Sequence, residues 1–101
     1  MKMEISSKQR AYLRGLAGSR SAIMQIGKDG ITDNLIRSLD DSLEARELIK
    51  ISVLEAAEDT PAELLDRLAT ALGAVPVSVI GRKLILYRQA RDPKKRKIEL
   101  P

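Results

Sequence analysis

Stretches of helical period alternate with stretches of period two along this chain, and that alternation constrains its fold more than any other feature. Ile31, Leu35, Leu39 and Leu43 recur every four residues, with Ile36 alongside, which predicts an amphipathic helix after Gly30 whose positive end suits Asp33. Leu48 to Leu54 then reads as a strand in which Ile49, Ile51 and Val53 share one face while Lys50 and Ser52 point the other way. Thr60-Pro61-Ala62-Glu63 marks the next helix start, with Thr as N-cap, proline in the first turn and glutamate closing a capping box. Leu65, Leu68, Ala69 and Leu72 form its inner stripe, and Gly73 fits the left-handed position that ends it. Upstream, Ser6-Ser7-Lys8-Gln9 has the pattern of a capping box. It predicts a helix to about Leu16 with Gly18 as its stop, Leu13, Leu16 and Ala17 inward, and Arg10 and Arg14 on one wet face.

Three further segments complete the reading. Ala22 to Ile26 is a short strand, and Val75 to Ile80 and Leu84 to Arg88 are two more, joined by a tight turn at Gly81-Arg82-Lys83. Pro76 cannot donate to a ladder, so it belongs at the start of its strand or on an edge. The order α-β-α-β-α-β-β predicts an α/β (α+β) fold: a mixed four-stranded sheet with helices packed on it and one sheet face free to be polar. With 101 residues there is room for one core. The expected division is a domain over residues 1–91 and a basic, flexible C-terminal tail over 92–101, which carries Lys94, Lys95, Arg96 and Lys97.

Composition removes whole classes of function. The chain has neither Cys nor His, which excludes disulfides, thiolate chemistry, zinc sites built on those residues and His-dependent triads. Its only aromatic residues are Tyr12 and Tyr87, which argues against an aromatic stacking platform for bases. Paired acids such as Asp40-Asp41 and Glu58-Asp59 could bind magnesium or act as acid and base, but neighbours on a helix do not face the same way and no nucleophile, base and orienting group assemble, so no enzyme is expected. No metal, cofactor or small-molecule substrate is expected either. No apolar run approaches 18 residues and Met1-Lys2-Met3-Glu4 lacks an apolar signal region, so the expected compartment is the cytoplasm and no membrane partner is expected.

Charge is sorted along the chain. Residues 1–28 hold six basic side chains and one acid, residues 29–66 three basic and eleven acidic, and residues 67–101 nine basic and two acidic. If the fold joins the two ends, their combined surface suits a polyanion. Within the first basic stretch and just beyond it lies Gly27-Lys28-Asp29-Gly30. Chance alone supplies about 0.35 such glycine spacings in a chain of this composition, and Gly15 and Gly18 make a second. Context distinguishes the first. It follows a strand and precedes a helix, so glycines permit close backbone approach, Lys28 adds charge, and the helix start offers free amides to a phosphate.

Four segments, in order, carry a resemblance: residues 8–17 from Lys8 to Ala17, Gln25-Ile26-Gly27-Lys28-Asp29-Gly30-Ile31-Thr32, Glu47-Leu48-Ile49-Lys50-Ile51, and residues 79–88 from Val79 to Arg88. Together they resemble the CRM domain family of chloroplast RNA splicing and ribosome maturation, in its stand-alone bacterial YhbY-like form. The resemblance implies a fold similar to the C-terminal domain of bacterial initiation factor three, and RNA contact at Gly27, Lys28, Asp29 and Gly30. It also implies association with precursors of the large ribosomal subunit. Asp29 stands where the family often has Asn, and Ala22 where Pro is common. The His residues often found in the family near the end of the first helix and before Glu47-Leu48-Ile49-Lys50 are absent, and Ser19, Arg20 and Arg46 appear in those regions.

The resulting expectation is a non-enzymatic RNA-binding protein of large-subunit assembly, with ribosomal RNA as partner. The loop Gly27–Gly30 would clamp the RNA backbone inside a cationic surface of Arg10, Arg14, Lys50, Arg82, Lys83 and Arg88. Few aromatics favour phosphate and shape contacts over stacking. The rival expectations are a general nucleic-acid-binding protein and a protein–protein adaptor whose acidic segment 29–66 docks a basic ribosomal protein.

Overall fold

The Ser6 hydroxyl accepts from the Gln9 amide at 3.1 Å while the Gln9 side chain accepts from the Ser6 amide at 2.9 Å. That box starts α1, Ser7–Gly18, in a computed structural model that describes residues 4–101. The reading of a missing signal region at Met1, Lys2 and Met3 lies outside the described residues. The helix runs through Gly18 and is capped by Ser19, two residues beyond the sequence expectation. A glycine there forces no stop because it keeps helical geometry; the chain's positive-φ glycines are Gly30, Gly73 and Gly81.

The elements that follow are β1 Met24–Ile26, α2 Asp33–Arg46, β2 Leu48–Val53, α3 Pro61–Leu72, β3 Val75–Ile80 and β4 Lys83–Tyr87, with a 3₁₀ turn at Pro93–Lys95. Thr60 caps α3 as read, accepting from the Glu63 amide at 3.2 Å, but the Glu63 carboxylate accepts from the Thr60 hydroxyl and not from its amide, so the expected capping box is not closed; Gly73 ends the helix in the left-handed conformation. The sheet order is β1-β2-β4-β3. β1 runs parallel to β2, and β4 lies antiparallel to both β2 and β3. Pro76 sits on the edge strand, beside an irregularity in the ladder between Pro76 and Ser78. Among the described residues, no helix is long and apolar enough to cross a membrane.

Alternation along β2 and β4 sends side chains to two cores. Ile49, Ile51, Val53, Leu84 and Leu86 meet Leu39, Leu43, Leu64, Leu65 and Leu68 from α2 and α3. Leu48, Ile85 and Tyr87 meet Leu13 and Ala17 from α1, with Val75 and Val77 of β3. The sheet is therefore the middle of three layers. This corrects the expectation of an open polar face: α1 covers the end of that face nearest Leu48 and Tyr87, and only the end with Lys50, Ser52 and Lys83 is left without a helix.

The C-terminal segment also departs from expectation. Residues 92–101 lie against the body instead of hanging free. The Glu47 carboxylate accepts from the amides of Ala90, Lys97 and Ile98 at 2.8, 2.6 and 3.0 Å. Glu44 accepts from the amides of Arg91 and Asp92 at 2.8 and 3.0 Å. Ile98 and Leu100 pack on the core beneath α1, and the Gln9 side chain donates to the Pro101 carbonyl at 3.1 Å. Glu47 reaches this position by taking φ 66° after the last turn of α2, a conformation that side chains other than Gly adopt at a cost of roughly 1–3 kcal/mol. Its carboxyl is fully buried. Burial pushes its pKa up, but the three amides and the nearby Arg96 charge outweigh burial and hold it below the usual carboxylate range.

Candidate nucleic-acid interface

β1 ends at Ile26, whose carbonyl accepts from the Leu54 amide at 2.8 Å. The chain then turns through Gly27-Lys28-Asp29-Gly30, closed by the Gly30 amide donating to the Gly27 carbonyl at 3.0 Å. Gly30 takes φ +65°, which a side chain would oppose. Gly27 does not: a Cβ there would meet only Leu54 Cδ1, at 3.4 Å, an ordinary contact. Lys28 and Asp29 are exposed. The helix does not begin at Gly30 itself. Thr32 is the N-cap, accepting from the Leu35 amide at 3.1 Å. The Asp33 and Asn34 amides make no hydrogen bond among the described residues, and Asp29 takes no part in the cap. Loop and helix start border a shallow groove of about 360 Å³, whose walls include Gln25, Gly27, Lys28, Gly30, Asn34 and Ser38.

Next to the loop is the uncovered end of the sheet. Gln25, Ser52, Lys83 and Ile80 are register partners from β1 to β3, so they form one row on the α1 side. Lys50 is one step nearer α1 and lies beside Ile85. The Lys83 ammonium donates to the Ser52 hydroxyl, and the Lys50 ammonium donates to the Arg20 carbonyl at 2.9 Å. Arg20, at the end of α1, donates to the Leu48 carbonyl at 2.6 Å. Gly81 takes φ +59° at the first central position of the β3–β4 turn, which brings Arg82 back over β2. Arg82 donates to the carbonyls of Val53 at 2.8 Å and Leu54 at 2.6 Å, tying the hairpin tip to the residue whose amide bonds Ile26, just before the loop.

The site residues read from sequence thus fall into three groups. Gly27, Lys28, Asp29 and Gly30 form the loop, with Lys50, Arg82 and Lys83 beside it on the uncovered sheet end. Arg14 is exposed on α1, whereas Arg10 is not on a wet face: it donates to the carbonyls of Pro76 and Val77, sealing the edge of β3. Arg88 is a correction. Alternation after Tyr87 turns it to the α2–α3 side, where it is buried and bonded to the Asp40 carboxylate at 2.6 Å and the Leu72 carbonyl at 3.0 Å. Its hydrogen bond to Asp40, opposed by partial burial and helped by Arg91, holds that carboxyl below its ordinary range. Arg88 joins α2 to the end of α3 and lies on the far side from the loop. Sequence reasoning passed over Arg20, although its place just past a basic helix was the available signal.

The chemistry of the cations differs between the two sides. Among the described residues the ion pairs are Arg67–Asp59, Arg88–Asp40 and Arg91–Asp40, all with acids of α2 or the segment leading to α3. On the α1 side Arg10, Arg20, Lys50, Arg82 and Lys83 are fixed by carbonyls and a hydroxyl. Neutral acceptors hold these groups in place without cancelling their charge, so the surface around the loop stays cationic. The contact of Gln9 with Pro101 also joins the two basic ends of the chain on this side.

A family model for the CRS1/YhbY (CRM) domain matches residues 5–88. The chain is 37% identical over 97 residues to the Bacillus subtilis "Probable RNA-binding protein YqeI", covering 96% of this chain and 99% of that one. It is 31% identical to a Haemophilus influenzae protein named RNA-binding protein, over 96% of this chain and 95% of the other. The solution structure of a hypothetical Staphylococcus aureus protein, described provisionally as RNA-binding, superposes with a TM-score of 0.79 at 44% identity, covering 97% of this chain and all of that one.

Proposed function

This chain belongs to the CRS1/YhbY (CRM) domain family, and from that premise we propose that it binds RNA through the Gly27–Gly30 loop and the cationic sheet end beside it. The observation that carries this reading is the fixing of Lys50, Arg82 and Lys83 by neutral acceptors on the sheet end beside a glycine loop with two free amides. Such a surface attracts a polyanion without closing on itself. Phosphate oxygens would take the amides of Asp33 and Asn34, Lys28 would add a charge-assisted contact, and Gly27 would let the sugar–phosphate chain come close. The names of its relatives support RNA over another polyanion.

The finer reading is ribosomal RNA of large-subunit precursors, with the protein acting as a non-enzymatic assembly factor in the cytoplasm. Its support is the resemblance to stand-alone bacterial members of the family. Crosslinking in cells with sequencing of the attached nucleic acid tests it: reads concentrated on messenger RNA or DNA contradict it.

The loop itself is tested by charge reversal. Lys28→Glu touches no glycine and lies on the surface, so folding is spared. RNA affinity falls by at least tenfold, because a charge-assisted contact contributes roughly 1.5–3 kcal/mol and reversal adds repulsion. Arg37→Glu makes the same charge change on the exposed side of α2 and lowers affinity far less. Equal losses in the two folded variants, measured by fluorescence anisotropy on one RNA, move the clamp away from the loop.

A further inference from the structure

The chain's two aromatic side chains are 75 positions apart, yet both line one cavity of about 830 Å³. Tyr87, 1% exposed, forms its floor, and Tyr12 of α1, 42% exposed, forms a wall with ring surface open to solvent. The opposite wall is the docked C-terminal segment, which contributes Arg96 and Lys97. Gln89 adds an exposed amide at the mouth, and Glu99 is the one acid among the lining residues. The segment's course is fixed from below: the amides of Lys97 and Ile98 are held by Glu47. Arg96 Nε donates to the Ala90 carbonyl at 2.8 Å. Neither the Arg96 guanidinium nor the Lys97 ammonium makes an ion pair among the described residues.

The combination is specific. An aromatic face beside two cations that make no ion pair among the described residues and a free amide matches a base, a phosphate and a base edge. We propose that this cavity receives one unpaired nucleotide of the bound RNA, its base against the Tyr12 ring and its phosphate against Arg96 and Lys97. The proposal rests on the RNA reading above but uses a different place. Tyr87 lies four residues along β4 from Lys83, about 13 Å at strand rise, and the loop lies beyond Lys83. An RNA that reaches both places is held at two points along the α1 side. The aromatic poverty that argued against a stacking platform still allows one stacked base, at the exposed Tyr12 ring.

The full-length chain offers a clean readout. It has no Trp, Phe or His, so every aromatic ring resonance of the protein comes from Tyr12 or Tyr87. Uridine 5′-monophosphate and a six-residue oligouridylate are titrated separately and followed by proton NMR. Upfield movement of the Tyr12 ring signals with both probes is the expected result. Tyr12→Leu, at an exposed position, weakens oligonucleotide affinity about tenfold, within the range of base–aromatic stacking, while Tyr12→Phe stays within about twofold. If the oligonucleotide binds, shifts fall only around Gly27–Gly30 and Tyr12→Leu binds normally, the cavity proposal is overturned and the RNA reading stands. If Tyr12 responds to the mononucleotide while Lys28→Glu leaves oligonucleotide binding untouched, the cavity stands and the clamp falls. No response to either probe overturns the cavity and, with no oligonucleotide binding, the clamp as well.

Discussion

The two faces of the sheet bury the same kinds of side chain, Leu, Ile, Val and Ala, but treat charge in opposite ways. On the α2–α3 face, acids and bases are spent on each other: Asp40 takes Arg88 and Arg91, and Asp59 takes Arg67. On the α1 face, guanidinium and ammonium groups are held by carbonyls of Leu48, Val53, Leu54, Pro76 and Val77 and by the Ser52 hydroxyl. A carbonyl orients a cation as well as a carboxylate does, but leaves its field intact. The same residue type is therefore structural on one face and available for binding on the other. Net charge by itself does not distinguish them; the partner of each cation does.

The sharpest break in that comparison is at Glu47, the acid that ties the C-terminal segment under the α1 layer. Glu47→Ala strands the buried amide of Ala90 and the part-buried amides of Lys97 and Ile98. We expect a loss on the order of 3 kcal/mol, which lowers the melting temperature by about 12 °C or more. The same group contributes to an acid limb, together with Asp40 and Glu44, whose carboxyls are also held below their ordinary range. Its folded-state pKa lies below its unfolded value, so the unfolded chain takes up its proton first as pH falls. The stabilisation is complete above the usual carboxylate range, near about pH 4.3, and is lost as pH drops through it toward the lower folded value. Denaturant melts from pH 6 to pH 3 follow this, and Glu47→Ala makes the limb shallower. An acid limb unchanged in the variant contradicts the assignment to Glu47.

The next effect separates two arginines. Arg88→Gln leaves Asp40 with Arg91 alone, strips the Leu72 carbonyl of its side-chain donor, and costs about 2 kcal/mol of stability, with RNA affinity within twofold of the parent. Arg14→Gln, on the exposed side of α1, changes stability by no more than about 0.5 kcal/mol. It reduces the slope of log affinity against log salt by about 1 if Arg14 meets a phosphate. Thermal melts and a salt titration on one RNA measure both. A reversed pattern would show that the faces are not divided as argued.

Much of this was legible locally. The caps at Ser6 and Thr60, the left-handed Gly73 and the alternation of Ile49, Ile51 and Val53 depend only on near neighbours, and each is found where the residues place it. The burial of Arg88 was also within reach, since it continues the face of Leu84 and Leu86. Glu47 was not. Its positive φ and its hold on residues 90–98 come from a contact more than forty positions away, and no local pattern marks an acid that turns inward. The same distance hid the cavity between Tyr12 and Tyr87, and the docking of a tail whose sequence is mostly charged. The loop itself was found from its spacing and neighbours; that Gly27 is a glycine without a steric need inside the fold required coordinates.

That last point supports the smallest and most discriminating change. Gly27→Ala places a methyl 3.4 Å from the flexible end of Leu54 and meets nothing else within 4 Å. Its backbone has no positive φ to strain, so stability changes by no more than about 0.5 kcal/mol. Gly30→Ala is the contrast, because φ +65° costs an L-residue roughly 1–2 kcal/mol, and that variant loses stability before any effect on RNA can be read. A methyl at position 27 therefore reports on the outside of the loop alone. If the sugar–phosphate chain packs against the glycine, RNA affinity falls about fivefold with the melting temperature unchanged, since a methyl's width is enough to lengthen the contacts of Lys28 and the Asp33 and Asn34 amides. If affinity is untouched, RNA does not approach the loop backbone, Lys28 acts through its charge at longer range, and the closest contact belongs to the row of Gln25, Ser52 and Lys83 on the open end of the sheet.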